Sequence, residues 1–230
     1  MVGYVKAMIL AAGRGERMRP LTEHTPKPLL EVGGMPLIEH HIRRLVAAGI
    51  AELVINVSHL GEQVTDWCGD GSRWGARISW SREARPLETA GGILNALPLL
   101  GEDAFLVVNA DVWMDFDAAS LAARAGALNP GCAHLLFVAN PGHHRGGDFA
   151  LDDDLVVPAG PGRDSLTFSG VAAYRRDFFD RVDGSARSGP LRPLFERAIA
   201  RGRLFGERHS GVWVDVGTPQ RLEALRSAVG

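Results

Sequence analysis

The stretch LAAGRGERMRPLTEHTPKPLL, Leu10–Leu30, follows the apolar run Ala7-Met8-Ile9-Leu10 and carries two glycines, three arginines, three prolines and one lysine with no helical or strand period. A glycine-rich turn behind a strand points backbone N–H groups outward, a geometry that cradles phosphate oxygens. Gly13 and Gly15 tolerate positive φ and let a ligand approach the backbone. Arg14, Arg17 and Lys27 add positive charge. Two common phosphate loops are excluded. A P-loop closes on Gly-Lys-Ser/Thr, which does not follow here, and a dinucleotide fingerprint needs glycine where Met18 stands and a helix where Pro20 stands. The Pro26-Lys27-Pro28 triplet predicts a lysine held on extended backbone, because a residue preceding proline avoids the helical region. Of 25 basic residues only Lys6 and Lys27 are lysines, so an ammonium inside this loop points to a task for a compact cation. Without a ligand the same loop is a rigid connector with solvated charges.

Two carboxylates have a matching setting. Asp111, in Asn109-Ala110-Asp111, leaves the apolar strand Phe105–Val108, and Asp215 leaves Val212-Trp213-Val214. Oxygens from two distant segments can share one Mg²⁺ whose remaining positions go to phosphate and water; each Asp taken singly could equally cap a turn. In Arg82–Leu94, Glu83, Glu88 and Thr89 precede a Gly-Gly pair and a helix, with Thr89 as a candidate N-cap or the loop as a reader of a base edge. Gly142–Phe149 gathers His143, His144 and Arg145 in a polar turn suited to sugar hydroxyls and anions; adjacent histidines alone do not make a zinc site. Cys68 and Cys132 form neither a metal pattern nor a disulfide framework.

These groups need a scaffold. Strands are predicted over Lys6–Ala11, Glu52–Val57, Arg77–Ser81, Phe105–Asn109 and Ala133–Val138, and helices over Pro36–Ala48, Gly61–Cys68, Thr89–Leu97, Ala118–Leu128, Pro193–Ala200 and Pro219–Ser227. The alternation implies an α/β, Rossmann-like, mainly parallel sheet with helices on both faces. From Asp148 to Tyr174 apolar residues sit among Gly, Pro and Asp turns, which predicts a small antiparallel subdomain, hairpins lying over the sheet, in the half that holds a second substrate. Ligands of such sheets lie beyond the carboxyl ends of the strands, where the opening loop belongs. The chain of 230 residues fits a single domain of two halves, about 1–115 and about 116–230. With 46% hydrophobic residues and a net charge of −2 it does not resemble a general nucleic-acid binder, and no apolar run is long enough for a membrane span. No leader precedes the first strand, so a cytoplasmic location is expected.

The pattern L-A-A-G-x-G-x-R-x-x-P-L-T followed by P-K-P-L, over Leu10–Leu29, resembles the sugar-1-phosphate nucleotidyltransferases. Pro86–Ile93, Asn109–Trp113, Asn140–His144, Gly147–Phe149, Leu166–Gly170 and Trp213–Thr218 extend the similarity, which is greatest to the N-acetylmuramate-1-phosphate uridylyltransferases. The resemblance implies that Ala11, Ala12 and Gly13 touch base and ribose, that Gly13, Arg14, Gly15 and Arg17 hold the nucleotide phosphates, and that Lys27 bridges the α-phosphate and the sugar phosphate. By the same resemblance Glu83, Glu88 and Thr89 serve the base, Asp111 and Asp215 hold Mg²⁺, and Asn109, Asn140, Gly147, Asp148 and Gly170 fall on the sugar side. Long relatives carry an E-K-P lysine, yet this chain has none after Lys27; Arg145 and Arg163 are the candidate replacements, and Arg145 is expected to meet the lactyl carboxylate of N-acetylmuramate.

The implied reaction joins UTP to a sugar 1-phosphate with release of pyrophosphate. A phosphate monoester is mostly dianionic at neutral pH, its second pKa being near ~6, so positioning and charge neutralisation replace a general base. A mannose-1-phosphate guanylyltransferase or a glucose-1-phosphate thymidylyltransferase is the rival: Glu83 could accept from both N1–H and N2–H₂ of guanine. Outside enzymes, a nucleotide-sugar-binding regulatory protein would have lost Lys27 or a carboxylate, and all three are present. The sequence is silent on oligomeric state.

Overall fold

Successive residues of the apolar runs fall into two separate cores: Ala7 and Ile9 into one, Met8 into the other; likewise Leu53 and Ile55 against Val54, and Leu106 and Val108 against Phe105 and Val107. This is the period-two alternation of strands covered on both faces. The computed structural model describes residues 5–180 and 188–230. Its elements in chain order are β1 (Lys6–Leu10), β2 (Glu31–Val32), β3 (Met35–Pro36), α1 (Leu37–Ala47), β4 (Glu52–Val57), α2 (Gly61–Cys68), β5 (Arg77–Arg82), α3 (Glu88–Leu100), β6 (Phe105–Asn109), β7 (Val112–Met114), α4 (Ala118–Ala127), β8 (Ala133–Val138), β9 (Phe149–Asp152), β10 (Leu155–Pro158), β11 (Thr167–Tyr174), α5 (Arg192–Ile199), β12 (Leu204–Arg208), β13 (Trp213–Asp215) and α6 (Pro219–Val229).

Nine strands form one sheet in the order β5-β4-β1-β6-β11-β8-β12-β10-β9. Neighbours in the β5-β4-β1-β6 block are all parallel. β11 lies antiparallel to both β6 and β8, and β12 returns parallel to β8. The expected antiparallel segment is present as the β9–β10 hairpin, but it is bonded into the same sheet, through the Leu155–Phe205 pair to β12 and through Phe149–Leu166 to the approach to β11. Residues 204–208, for which no strand is predicted, complete the sheet; Gly206 is there because a Cβ would sit 2.6 Å from Phe137 Cε2. No described helix is long and apolar enough to cross a membrane.

A third, smaller core positions the site. Met18 and Leu30 of the opening loop pack with Val216, Leu222 and Leu225, so the loop that carries Lys27 and the segment that carries Asp215 share one apolar anchor. Lys6, the other lysine, is structural: its Nζ donates to the Leu99 carbonyl at 2.8 Å and lies 3.5 Å from Glu52 Oε2.

Two histidines are buried away from solvent. Burial, aided by the guanidiniums of Arg44 and Arg124 respectively, pushes His41 and His134 down from 6.5 to about 4. Between those values the unfolded chain takes up protons that the fold excludes, so stability falls as pH drops from about 6.5 to about 4. Thermal melts across this window should show the decline, and in His134→Gln, which cannot titrate, the destabilisation relative to the parent should shrink as the pH falls.

Candidate active site

The opening loop is built from three 3₁₀ turns, Glu16–Met18, Leu21–Glu23 and Lys27–Leu29. Lys27 is therefore not on extended backbone as expected. Pro26 is extended, and Lys27 opens the third turn, closed by Leu29 N–H to the Pro26 carbonyl at 2.8 Å and Leu30 N–H to the Lys27 carbonyl at 3.1 Å. Pro28 fits because an N–H this early in a turn has no acceptor to lose. Gly15 takes the left-handed conformation with φ +64°, and its carbonyl accepts from the Thr22 hydroxyl at 2.8 Å. The Lys27 side chain is 9% exposed and its ammonium is ion-paired with Asp111 Oδ2.

Asp111 sits between β6 and β7. β7 pairs antiparallel with β13, Asp215 lies opposite Val112, and the Val216 N–H donates to the Asp111 carbonyl at 2.8 Å. Two segments distant in sequence are thus joined by backbone bonds, one bringing Asp111 beside Lys27 and the other bringing Asp215 next to the strand that follows Asp111. Asp215 has its own cation: Arg221 Nη1 donates to Asp215 Oδ1. A divalent magnesium ion suits this donor set. Both candidate ligands are hard carboxylate oxygens, the donor type magnesium prefers, and a divalent ion would take the place of the cations that they face here, Lys27 and Arg221. No group of three or more His, Cys, Asp or Glu converges among the described residues, which leaves the remaining coordination to phosphate and water.

On the nucleotide side, a cleft is lined by Ala11, Ala12, Gly13, Lys27, Glu83, Glu88, Thr89, Asn109 and Asp111, among others. Arg14 and Arg17 are exposed on the loop beside it, and neither they nor Gly15 form its wall. Gly13 faces open space. A buried relay shapes the base end: Ala11 N–H donates to Asn56 Oδ1 (2.8 Å), Asn56 Nδ2 to Glu83 Oε1 (2.7 Å), and Leu87 N–H to Glu83 Oε2 (2.9 Å). Glu83 therefore braces the loop with both oxygens, which removes the support it was expected to lend to guanine. Thr89 is not the N-cap. α3 starts at Glu88, the cap position is Leu87 with no side-chain acceptor, and the Ala90 N–H finds the Gly189 carbonyl at 2.9 Å instead. Glu88 has φ +59°, a strained value for a non-glycine residue of the kind that recurs at ligand sites.

Gly92, in the first turns of α3, faces this relay. A Cβ there would lie 2.8 Å from Asn56 Nδ2 and 2.9 Å from Glu83 Oε1. Gly92→Ala is expected to push the relay apart and raise the KM for the nucleotide about tenfold, with kcat changed less, since it distorts binding and not charge neutralisation. Steady-state kinetics with the nucleotide varied checks this.

The sugar-side candidates divide into two kinds. Asn109 and Gly170 are in contact: Gly170 has φ +86°, and a Cβ would meet Asn109 Nδ2 at 2.6 Å. Asn140 and Asp148 are fasteners. Asn140 Oδ1 accepts from the Thr167 hydroxyl at 2.8 Å while its Nδ2 donates to Ser165, and Asp148 Oδ2 accepts from the Phe168 N–H at 2.9 Å. Gly147, φ +60°, leaves room for Asn140. Arg145 is exposed, and Arg163 is tied 3.9 Å from Asp152 at the tip of the β9–β10 hairpin, away from the ion pairs. Sequence reasoning assigned no role to Asn56, Gly92 or Arg221; Gly92 falls in the quoted Pro86–Ile93 motif, whereas the contacts of Asn56 and Arg221 are with residues more than five positions distant and no local pattern marks them.

Residues 6–146 match the family model described as Nucleotidyl transferase. An N-acetylmuramate alpha-1-phosphate uridylyltransferase from Neisseria meningitidis serogroup B is 49% identical over 229 residues, 98% of this chain and 99% of that one. Its counterpart from Caulobacter vibrioides is 37% identical over 225 residues, 93% and 92% of the two chains. A solved structure from Bacillus anthracis, provisionally assigned as a glucose-1-phosphate thymidylyltransferase and holding sucrose, matches with a TM-score of 0.87 over 98% of this chain and 95% of that one; at 22% identity it speaks for the fold alone.

Proposed function

The chain belongs to the nucleotidyl transferase family, and from that premise we propose that it transfers the uridylyl group of UTP to N-acetylmuramic acid 1-phosphate, giving UDP-N-acetylmuramic acid and pyrophosphate. The observation that carries this is the meeting of Lys27, Asp111 and the Asp215 strand at the mouth of a cleft whose wall is the Ala11–Gly13 backbone. The full-length identity to curated uridylyltransferases of that sugar supports the choice of substrates.

One oxygen of the sugar phosphate forms a bond to the α-phosphorus of UTP, the bond from that phosphorus to the α–β bridging oxygen breaks, and the electron pair leaves with pyrophosphate. The nucleophile is already a dianion, so no base is needed. The barrier is repulsion between two anions, and fixed positive charge in a partly dry site is the remedy. Lys27, with little access to water and already at the cleft, neutralises the α-phosphate region by turning from Asp111 to the phosphate. Asp111 and Asp215 would hold magnesium, which supplies further neutralisation of the triphosphate. Ala11, Ala12 and Gly13 offer backbone to the base and ribose, Gly13, Arg14, Gly15 and Arg17 serve the phosphates, and the N-terminal turn of α3 with Glu88 and Thr89 closes the base end. Asn109 and Gly170 face the sugar, Asn140, Gly147 and Asp148 hold the loops around it, and Arg145 meets the lactyl carboxylate. Residues 1–115 thus serve the nucleotide and 116–230 the sugar, in a cytoplasmic enzyme.

Pyrophosphate release measured with UTP, dTTP and GTP, each against the 1-phosphates of N-acetylmuramate, N-acetylglucosamine, glucose and mannose, tests the assignment. The UTP and N-acetylmuramate pairing should exceed all others. Equal rates with N-acetylglucosamine 1-phosphate would remove the role of Arg145, and a faster GTP and mannose pairing would replace the assignment altogether.

A further inference from the structure

Phosphoryl transfer between two anions calls for more than one fixed cation, and Lys27 is the last lysine in the chain. The two arginines that the sequence offers as replacements are badly placed: Arg145 is exposed and Arg163 belongs to the hairpin tip. Arg221 is neither. Its side chain is 21% exposed, its Nη1 bonds Asp215 Oδ1, and the same nitrogen lies 2.7 Å from His143 Nε2. His143 Nε2 in turn is 3.2 Å from Asp215 Oδ1, so one carboxylate oxygen is held by two basic side chains.

The local chain is shaped for this contact. Thr218 caps α6 and its Oγ1 accepts from the Arg221 N–H at 3.3 Å, which fixes the first turn. The guanidinium then folds back over Gly217, where a Cβ would lie 2.3 Å from Nη2. Arg221, His143 and Asp215 line a hollow that Val138, Ala139 and Pro141 also wall. The arrangement mirrors Lys27 on Asp111: each candidate metal carboxylate carries its own cation.

We propose that Arg221 is the second cation of the reaction, resting on Asp215 in the metal-free chain and released toward the sugar 1-phosphate when a divalent ion takes that carboxylate. This rests on the nucleotidyl transfer proposed above. A guanidinium is suited to the task because its planar fork matches phosphate oxygens two at a time. In the metal-free state it keeps two neighbouring carboxylates from repelling each other; for the same reason it competes with the metal for Asp215.

Terbium(III), an oxygen-seeking ion, provides a test that needs no turnover, since Trp113 and Trp213 flank the carboxylates in β7 and β13 and can sensitise its emission. Arg221→Gln should bind terbium about tenfold more tightly than the parent chain, because the resident competitor is gone. In pyrophosphate release its kcat should fall ~10²-fold with the KM for UTP little changed, and Arg221→Lys, which keeps the charge but not the fork, should regain about a tenth of the rate. Asp215→Asn should lose the terbium signal in either background. Unchanged terbium affinity in Arg221→Gln, or a kcat within threefold of the parent, would overturn the proposal; so would a misfolded Arg221→Gln accompanied by a fully active Arg221→Lys whose terbium affinity matches the parent. A parent chain that releases no pyrophosphate from UTP and the sugar phosphate would instead refute the proposed function, while the terbium comparison still decides whether Arg221 guards Asp215.

Discussion

Replacing Lys27 by Met should lower kcat by ~10²–10³, about 3–4 kcal/mol of transition-state stabilisation, while the chain keeps its fold. The size follows from burial. The Lys27 side chain has 9% exposure, so its charge is little screened where the phosphates would lie. The fold should survive because the turn around Lys27 is closed by backbone bonds, from Leu29 to Pro26 and from Leu30 to Lys27, which the substitution does not touch. Asp111, left without its partner, is 41% exposed and is solvated by water. Arginine should not rescue the loss: the Lys27 side chain is buried with its stem close to Gly15, where a Cβ would lie 3.4 Å from Lys27 Cβ, and a planar fork needs more room than an ammonium. Steady-state pyrophosphate release together with a thermal melt decides the matter, and a Lys27→Met rate within threefold of the parent would reject the role.

Asp111→Ala should be as damaging, a loss of ~10²–10³ in kcat that added magnesium does not restore. Asp111 has two tasks in this arrangement. Its carboxylate pairs with the Lys27 ammonium, and under the proposed function it would join Asp215 in holding the metal. Removing it leaves one carboxylate, too few for a magnesium site built largely from substrate and water. Because Lys27 and Asp111 act as a unit, the Lys27→Met/Asp111→Ala double variant should be little worse than the poorer single one. Rate losses that simply multiply would show that the two side chains work independently.

Much of this was legible in the sequence. The β-branched and apolar runs located β1, β4, β6 and β8, because each is buried on both faces and leaves a near-continuous apolar signature, while the edge strand β5 shows only the alternation of Ile78 and Trp80. The motif Leu10–Leu29 placed the loop and Lys27, and the two aspartates were found because both follow apolar strands. What escaped was non-local. β12, Leu-Phe-Gly-Glu-Arg, has too little apolar character to read as a strand and owes its state to pairing with β8 and β10. Extended backbone at Lys27 was expected from the neighbouring prolines, but the tertiary anchor of Met18 and Leu30 won over that local bias. Glu83 looked like a base reader because its carboxylate stands in a loop; its true partners, Asn56 and the Leu87 N–H, are visible only once β4 and β5 are side by side. Arg221 went unremarked, since nothing local signals the fold-back onto Asp215.

The central claim is that Asp111 and Asp215 share one divalent ion beside Lys27 when nucleotide is bound. Crystals grown with manganese and a non-hydrolysable UTP analogue would test it most directly, through the anomalous signal of the metal. A peak bridging the carboxylates of Asp111 and Asp215, with the Lys27 ammonium moved from Asp111 to the α-phosphate, is the predicted result. Nucleotide bound in the Ala11–Gly13 cleft with no metal at those two aspartates, and with Lys27 still paired to Asp111, would contradict it.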